Sequence, residues 1–496
     1  MRSVNLYMLT RNIGENFTKY EKALSLRETE IKPKEKEFWS LRKLVDELQI
    51  NGLKIEEFDD FYFSFSIPQI GKEFDLLKIG DKKIVNIELK SDDVDREKIK
   101  EQLKTNRYYL SYLQKDMVFY TYVAETGVLY QLKDDNLIIG NYQDLINNIV
   151  ECSNCYSEDI ESLFKVSAYL VSPLNTPEKF LERKYFLTQQ QKQIEKEIEK
   201  YINEKKEKYC FIGITGAPGT GKTLLLYDLA IKYSQFGKIC FIHCGILCEG
   251  HNFLNQKLDD IDIIAAKKLK QDFDFSNYQY IFVDETQRIY EEQFELIVSS
   301  AKKNNLKTFF GFDAQQILSK EELKRNIPES IEILDNYKEF KLSNKVRTNK
   351  EIASFITKLF KTDYYDNINS YPSVYVVYAN SKSECENMIE YFSSQNYCFI
   401  NYTKSNYYSG SLDFYSNFCD QNTHEVIGQE FDNVLMLINK EFGYKDDKLS
   451  SREHPNPNYL YIQLLFQGLT RVREKLAIIV LNNEEVYGKI IKILNN

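Results

Sequence analysis

The chain has 496 residues, of which 43% are hydrophobic and 28% charged, and its 65 basic and 74 acidic side chains leave a net charge of −9. These are soluble, globular values, and the length suggests about three units of ordinary domain size. They exclude collagenous and low-complexity chains, a disulfide framework (nine scattered cysteines, an odd number) and a uniformly basic nucleic-acid coat, although a local basic groove can sit on an acidic molecule.

The opening MRSVNLYMLTRNIGENF has no hydrophobic signal core, and no apolar run approaches the roughly 18 residues of a membrane span. A cytoplasmic protein without a membrane partner is therefore expected. Residues 35–48 carry a helical apolar pattern, and FDDFYFSFSI (58–67) alternates as a strand does. Strands follow at FDLLKI (74–79) and KIVNIELK (83–90), then a charged helix over 92–113 and strands at 117–124 and 127–132. Helix, strands, helix, strands is the order of an α/β unit around a mixed sheet, and it is bounded at 1–170. Cys152 and Cys155 form one CxxC, but no second pair at zinc-finger spacing follows, so ordinary thiols are the expectation.

Residues 171–206, with two prolines in SPLNTPEKF and a charged helical stretch from Glu195, read as a linker. From Tyr209, short apolar strands (CFIGIT, KICFIHC, YQYIFVDE, KTFFGF) alternate with helical segments, and a second series (VYVVYA, YCFINY, NVLMLI, LAIIVL) starts after residue 366. Two doubly wound parallel-sheet lobes, 207–365 and 366–496, are the simplest account.

Two clusters carry chemistry. In the first unit, a turn at Gly80-Asp81 sets Asp75 across a hairpin from Glu88 and Lys90, which the pleat places on one face. Two carboxylates and an amine suit one or two Mg²⁺ ions, or Mn²⁺, held by Asp75, Glu88 and the Leu89 carbonyl, with Lys90 orienting water. In the second, GAPGTGKT (216–223) fits G-x-x-x-x-G-K-[ST] between a strand and a helix. The backbone N–H groups around Gly216, Gly219 and Gly221 would cradle ATP phosphates, Lys222 would add charge and Thr223 would coordinate Mg²⁺. Asp284 and Glu285 end a later strand, one suited to the metal and the other to polarising water.

In order, these segments resemble the motor motifs of superfamily 1 helicases, including the shorter Schlafen-type ATPases, over about three hundred residues. That resemblance implies two RecA-like lobes. LTQQQ (187–191) is similar to the adenine-reading Q motif and implies Gln191; GFDAQQ (311–316) implies a relay through Asp313 and Gln316. LSNKVRT (342–348) offers Arg347 to the γ-phosphate, THEVIGQEFDNV (423–434) places Gly428 and Glu430 near ribose and phosphates, and GLTRVRE (468–474) implies Arg471 as the arginine finger. The intervals between motifs are short for this superfamily, so a minimal motor without a large accessory domain is expected, suited to translocation or clamping.

The first unit resembles the PD-(D/E)xK nucleases over roughly residues 30–135, which implies a restriction-endonuclease-like mixed-sheet domain. Glu37, or else Glu47, would be the assisting acid on the preceding helix, and Gln102 with Tyr108 resembles the Gln/Tyr motif of recombination-type members at altered spacing. Phe74 stands where that family has proline. The combined expectation is a nuclease fused to an ATP-driven translocase acting on nucleic acid, DNA foremost, in bacterial defence or repair, as a homo-oligomer or with a partner protein. The alternatives are an ATP-sensing switch that controls the nuclease without translocation, and a nucleic-acid-binding ATPase with a degenerate nuclease.

Overall fold

The computed structural model describes every residue except 12–15, 28–29, 32–34, 68–69, 71, 93, 153, 157–158, 165–170, 206–207, 315, 344–348, 405–417, 419–420, 453–458 and 496. The chain divides into two units, Met1–Tyr169 and Leu170–Asn496.

The first unit is built on a six-stranded sheet whose spatial order follows the chain: β1 (Phe61–Ser66), β2 (Glu73–Ile79), β3 (Lys83–Lys90), β4 (Asp116–Val123), β5 (Val128–Lys133) and β6 (Asn136–Ile139). All neighbours are antiparallel except β3 and β4, which run parallel and therefore need a crossover, supplied by the helix Arg96–Leu110. The helix Glu35–Ile50 buries Leu41, Leu44, Val45 and Leu48, a spacing that presents one face, in the same core as Phe61, Phe63, Val85, Ile87 and Tyr120. The crossover helix buries Ile99, Leu103, Asn106 and Leu110; Asn106 is a polar break in that apolar stripe. Strand β3 is buried along its interior on both faces. Cys152 and Cys155 are free thiols, and the Cys155 Sγ donates to the Cys152 carbonyl at 2.9 Å.

In the second unit, β7 (Cys210–Gly216), β8 (Ile239–His243), β9 (Ile261–Ala265), β10 (Tyr280–Asp284), β11 (Lys307–Phe312) and β12 (Tyr337–Leu342) form an all-parallel sheet in the order β12-β7-β11-β10-β8-β9. Helix Lys222–Ser234 packs across β7, β8, β10 and β11 and is buried nearly all round, as its run LLLYDLA requires. The segment 171–206 is no free linker: Leu174, Phe180, Leu187, Ile194 and Ile198 are buried in the core of this sheet.

A second parallel sheet contains β13 (Val374–Ala379), β14 (Cys398–Asn401), β15 (Gln421–Asn422), β16 (Phe431–Ile438) and, after a hairpin of β17 (Phe442–Lys445) and β18 (Lys448–Ser451), β19 (Val472–Leu481), in the order β13-β19-β16-β14-β15. Ile352 and Phe355 of the helix Lys350–Phe360 join this core, so its apolar packing begins before residue 366. Between Thr223 and Asp284 the described residues hold the remainder of the helix Lys222–Ser234, strands β8 to β10, the helix Glu249–Lys257 and a 3-10 turn at Ala266–Lys268, with no inserted domain. No described helix is long and apolar enough to cross a membrane.

Candidate functional site

Strand β7 passes into the loop 216–221 at the carboxyl edge of the sheet. Gly219 (φ 73°) and Gly221 (φ 84°) hold left-handed conformations that a Cβ resists, and these turn the chain straight into the helix starting at Lys222. The buried Lys222 Nζ donates to the carbonyls of Gly216 at 2.7 Å and Ala217 at 3.2 Å. The Thr223 hydroxyl donates to Asp284 Oδ2 at 3.1 Å, joining the loop to the end of β10. A hydroxyl and a carboxylate converging there form an oxygen donor set that fits Mg²⁺.

Asp284 and Glu285 are adjacent and buried, yet their settings differ. Burial and the charge of Glu285 push the Asp284 carboxyl up to about 7, against the Thr223 hydroxyl and Lys222. Burial also raises Glu285, but Arg288, Lys222 and Arg471 outweigh it and hold that carboxyl below its ordinary value. Glu285 is thus the acid kept ionised, and proximity of like charges drives the two apart. Its backbone sits at φ 57°, a left-handed conformation that costs a non-glycine residue roughly 1–3 kcal/mol.

Burial lowers the Lys222 ammonium, with Asp313, Glu285 and Asp284 opposing and Arg471 adding to the effect. Arg471, buried in the turn just before β19, is therefore close enough to act on both Lys222 and Glu285; its Nη1 donates to the Gln429 carbonyl and its Nε to the Gln467 carbonyl, each at 3.3 Å. Gln287, passed over in the sequence, links two motifs: its Nε2 donates to Glu285 Oε2 at 2.7 Å and its Oε1 accepts the Asp313 N–H at 3.3 Å. Gln316 is buried, with an Nε2 that has no partner among the described residues.

Gln191 caps its own helix, its Oε1 accepting the Thr188 N–H at 2.9 Å, and its Nε2 donates to the Gly221 carbonyl at 3.2 Å, so the donor end of the amide braces the phosphate loop from behind. Gly428 is left-handed (φ 77°), and a Cβ there would stand 3.1 Å from Leu174 Cδ1. The backbone N–H of Glu430 donates to Asn175 Oδ1 at 2.9 Å. Both lie on the segment facing the first lobe. Arg347 lies outside the described residues.

In the first unit, β2 and β3 pair in the register Leu76↔Ile87, which brings Asp75 to Glu88 and Leu89; Asp75 Oδ2 accepts the Leu89 N–H at 2.7 Å. Burial and Glu88 push the Asp75 carboxyl up to about 8, opposed by that N–H and by Lys90. Glu88, 1% exposed, is gripped by amides: Asn106 Nδ2 donates to its Oε1 at 2.7 Å and Gln102 to its Oε2. Asn106 also donates to Asn86 Oδ1 at 2.7 Å. The residue that joins Gln102 on Glu88 is therefore Asn106, one turn along, while Tyr108 packs edge-on against Tyr109. The signal was available in the sequence, as a lone polar residue at a core position of the helix.

Lys72, also missed, is buried beside Phe74, its Nζ 5.2 Å from the ring centre; burial lowers its ammonium while Glu88 and Asp75 pull it back. Glu37 lines a cavity of about 310 Å³ together with Glu73, Asp75 and Leu89. Glu47 sits instead near Tyr122 and Tyr142, adding to the burial that raises both phenols. Among the described residues no three His, Cys, Asp or Glu side chains gather as a ready metal cage, so a hard cation here would rest on Asp75 and Glu88 plus water, a donor set that Mg²⁺ accepts.

A family model described as the viral superfamily 1 RNA helicase core domain matches residues 212–480. No curated protein matches the chain. Among solved structures, the arterivirus nonstructural protein 10 helicase is 13% identical with a TM-score of 0.31, over 59% of this chain and 64% of that one, so the chain spans less than two thirds of that helicase. A Pif1 helicase structure concerned with forked-DNA unwinding is 11% identical (TM-score 0.33; 59% of this chain, 92% of that one), and Bacteroides sp. Pif1 with ADP-AlF4 is 11% identical (0.32; 62% and 96%).

Proposed function

Because the chain belongs to the family of the viral superfamily 1 RNA helicase core domain, we propose that it is an ATP-hydrolysing nucleic-acid motor whose first unit is a metal-dependent nuclease. The observation that carries the motor is the convergence of Lys222, Thr223, Asp284, Glu285 and Arg471, drawn from two sheets, on one buried cluster. ATP phosphates would lie along the N–H groups of 216–223, with Lys222 beside the β- and γ-phosphates. Glu285, kept ionised by its three cationic neighbours, would accept the proton of the attacking water. Arg471 comes from the second lobe, so nucleotide would bridge the lobes and hydrolysis would loosen them, a motion that can step a strand along. Thr223 and Asp284 would hold Mg²⁺, which would supply charge neutralisation at the phosphates. The short interval between the phosphate loop and β10 favours translocation over processive strand separation.

For the nuclease, support comes from the order of helix, three antiparallel strands, crossover helix and parallel strand, with Asp75 and Glu88 side by side on the neighbouring strands β2 and β3. These two would hold Mg²⁺ or Mn²⁺, Lys90 would orient the nucleophilic water, and the amides of Asn106 and Gln102 would fix the Glu88 carboxylate. The bound ion would supply an activated water and polarise the phosphodiester. DNA is the proposed substrate, in a setting of defence or repair.

The test is a joint nuclease and ATPase assay on single- and double-stranded DNA and RNA, with and without ATP, using Lys90→Ala and Lys222→Ala. Lys222→Ala should abolish ATP turnover and ATP-coupled cutting; Lys90→Ala should abolish cutting alone. Wild-type protein that leaves every substrate intact in Mg²⁺ and Mn²⁺ defeats the nuclease half, and wild-type protein that never hydrolyses ATP defeats the motor.

A further inference from the structure

Arg288 follows Glu285 by one turn of 3-10 helix, and its side chain is 5% exposed. Its Nε lies 3.4 Å from Glu285 Oε2. Nη1 and Nη2 are buried and have no hydrogen-bond partner among the described residues. Glu322 Oε1 stands 3.7 Å from Nη1, beyond hydrogen-bond reach, while Glu322 Oε2 accepts the Leu318 N–H at 2.7 Å. A guanidinium offers its donors in a rigid fork. Here one prong holds the acid of the hydrolytic site and the other two are left over.

Arg288 lines a cavity of about 340 Å³ between the two lobes, with its unsatisfied Nη edge buried just behind the cavity wall. Arg325 lines it and stacks 4.3 Å over the ring of Tyr290, while on the second lobe Tyr459 packs against His424 at 4.8 Å. Glu321 and Glu322 line it too, so its two arginines are matched by two carboxylates; what it offers is two forked cations interleaved with acids and aromatic faces. A phosphodiester with its base stacked nearby matches that lining, since forked donors bind phosphate in pairs and rings accept any base. Such a group would replace Glu322 as the neighbour of the Nη edge.

We propose that Arg288 is a positioning residue that couples strand binding to hydrolysis: it restrains Glu285 until a nucleic-acid phosphodiester occupies its Nη edge and draws the guanidinium away. Glu285 then takes the proton of the attacking water as the water oxygen bonds to the γ-phosphorus and the bond to the bridging oxygen breaks, leaving ADP and phosphate. This rests on the motor reading and adds the element that makes turnover depend on a strand.

The test is steady-state ATPase of the full chain, alone, with oligothymidylate or oligouridylate, and with inorganic phosphate. Arg288→Gln should raise the strand-free kcat several-fold, bring the ratio of strand-stimulated to basal rate close to one and leave KM for ATP within about twofold. Arg288→Lys, which keeps charge and loses the fork, should lower the stimulation ratio at least threefold and guards against a folding failure in the first variant. Both variants stimulated as strongly as wild type, or both losing basal and stimulated rates in equal proportion, would overturn the coupling and leave the motor standing. Stimulation by inorganic phosphate equal to that by a strand would overturn the strand as the ligand. Folded wild-type protein with no ATPase under any condition would instead remove the motor reading itself.

Discussion

Replacing Asp75 by asparagine should stabilise the first unit, and by an amount set by pH. Its carboxyl is pushed from 3.8 to about 8, by burial first and by Glu88 second. An acid whose value is raised on folding costs nothing below pH 3.8, costs progressively more as pH rises between the two values, and reaches its full cost above about 8. At pH 7 the gap is about three units, or about 4 kcal/mol at most at 1.36 kcal/mol per unit. Water reaching this half-buried side chain, and relaxation around it, should leave about 1–3 kcal/mol of that cost. Asparagine removes the charge and keeps an oxygen to accept the Leu89 N–H. At about 2–4 °C per kcal/mol for a unit of this size, Tm should rise by roughly 2–12 °C at pH 7 and hardly at all near pH 4.

The single tryptophan, Trp39, lies on the helix Glu35–Ile50 with the Lys43 ammonium 4.3 Å over its ring, so its fluorescence reports this unit alone in the full chain. Melts in a chelator at pH 4, 7 and 9 give the comparison. Added Mg²⁺ should then stabilise wild type and leave Asp75→Asn behind. A variant that melts lower than wild type at pH 9, or whose gain is the same at every pH, would refute the account of Asp75 and Glu88 as a repelling pair poised for a cation.

Glu285→Gln should cut ATP turnover at least a hundredfold and keep nucleotide affinity within a few-fold, measured by single-turnover hydrolysis beside nucleotide titration; normal turnover would show that another group takes the proton. Asn106→Leu leaves the buried Glu88 short of a donor, so the first unit should lose about 1–3 kcal/mol in a Trp39 melt, and any divalent-ion affinity should fall roughly tenfold or more; an unchanged melt would mean that the amide grip is incidental. Gln191→Ala should weaken ATP and GTP by the same factor, a few-fold in KM, because Gln191 braces the loop backbone; a loss confined to ATP would mark it as a base reader instead.

Much was legible in the chain because it is local. The phosphate loop is a run of glycines between an apolar strand and an apolar helix, and the acids Asp284 and Glu285 terminate a strand whose hydrophobic run names itself. The interior strands of both parallel sheets could be read as unbroken apolar runs, since both their faces are covered. The edge strand β12 was not: YKEFKL alternates with exposed positions and looks like ordinary surface until β7 supplies its partner.

The side chains that set the chemistry of each cluster were decided by the tertiary structure alone. Gln191 meets the carbonyl of Gly221 only because a helix packs behind the loop, and Asn106 meets Glu88 only because the crossover helix lies over β3. Nothing in the spacing of Glu285 and Arg288 shows which prongs of the guanidinium are engaged. Sequence determines which groups are available and where the backbone must turn, through hydrophobic runs and glycine conformations acting over a few residues. Which donor ends beside which acceptor depends on packing between segments far apart in the chain, and burial then sets how strongly each charge feels the next.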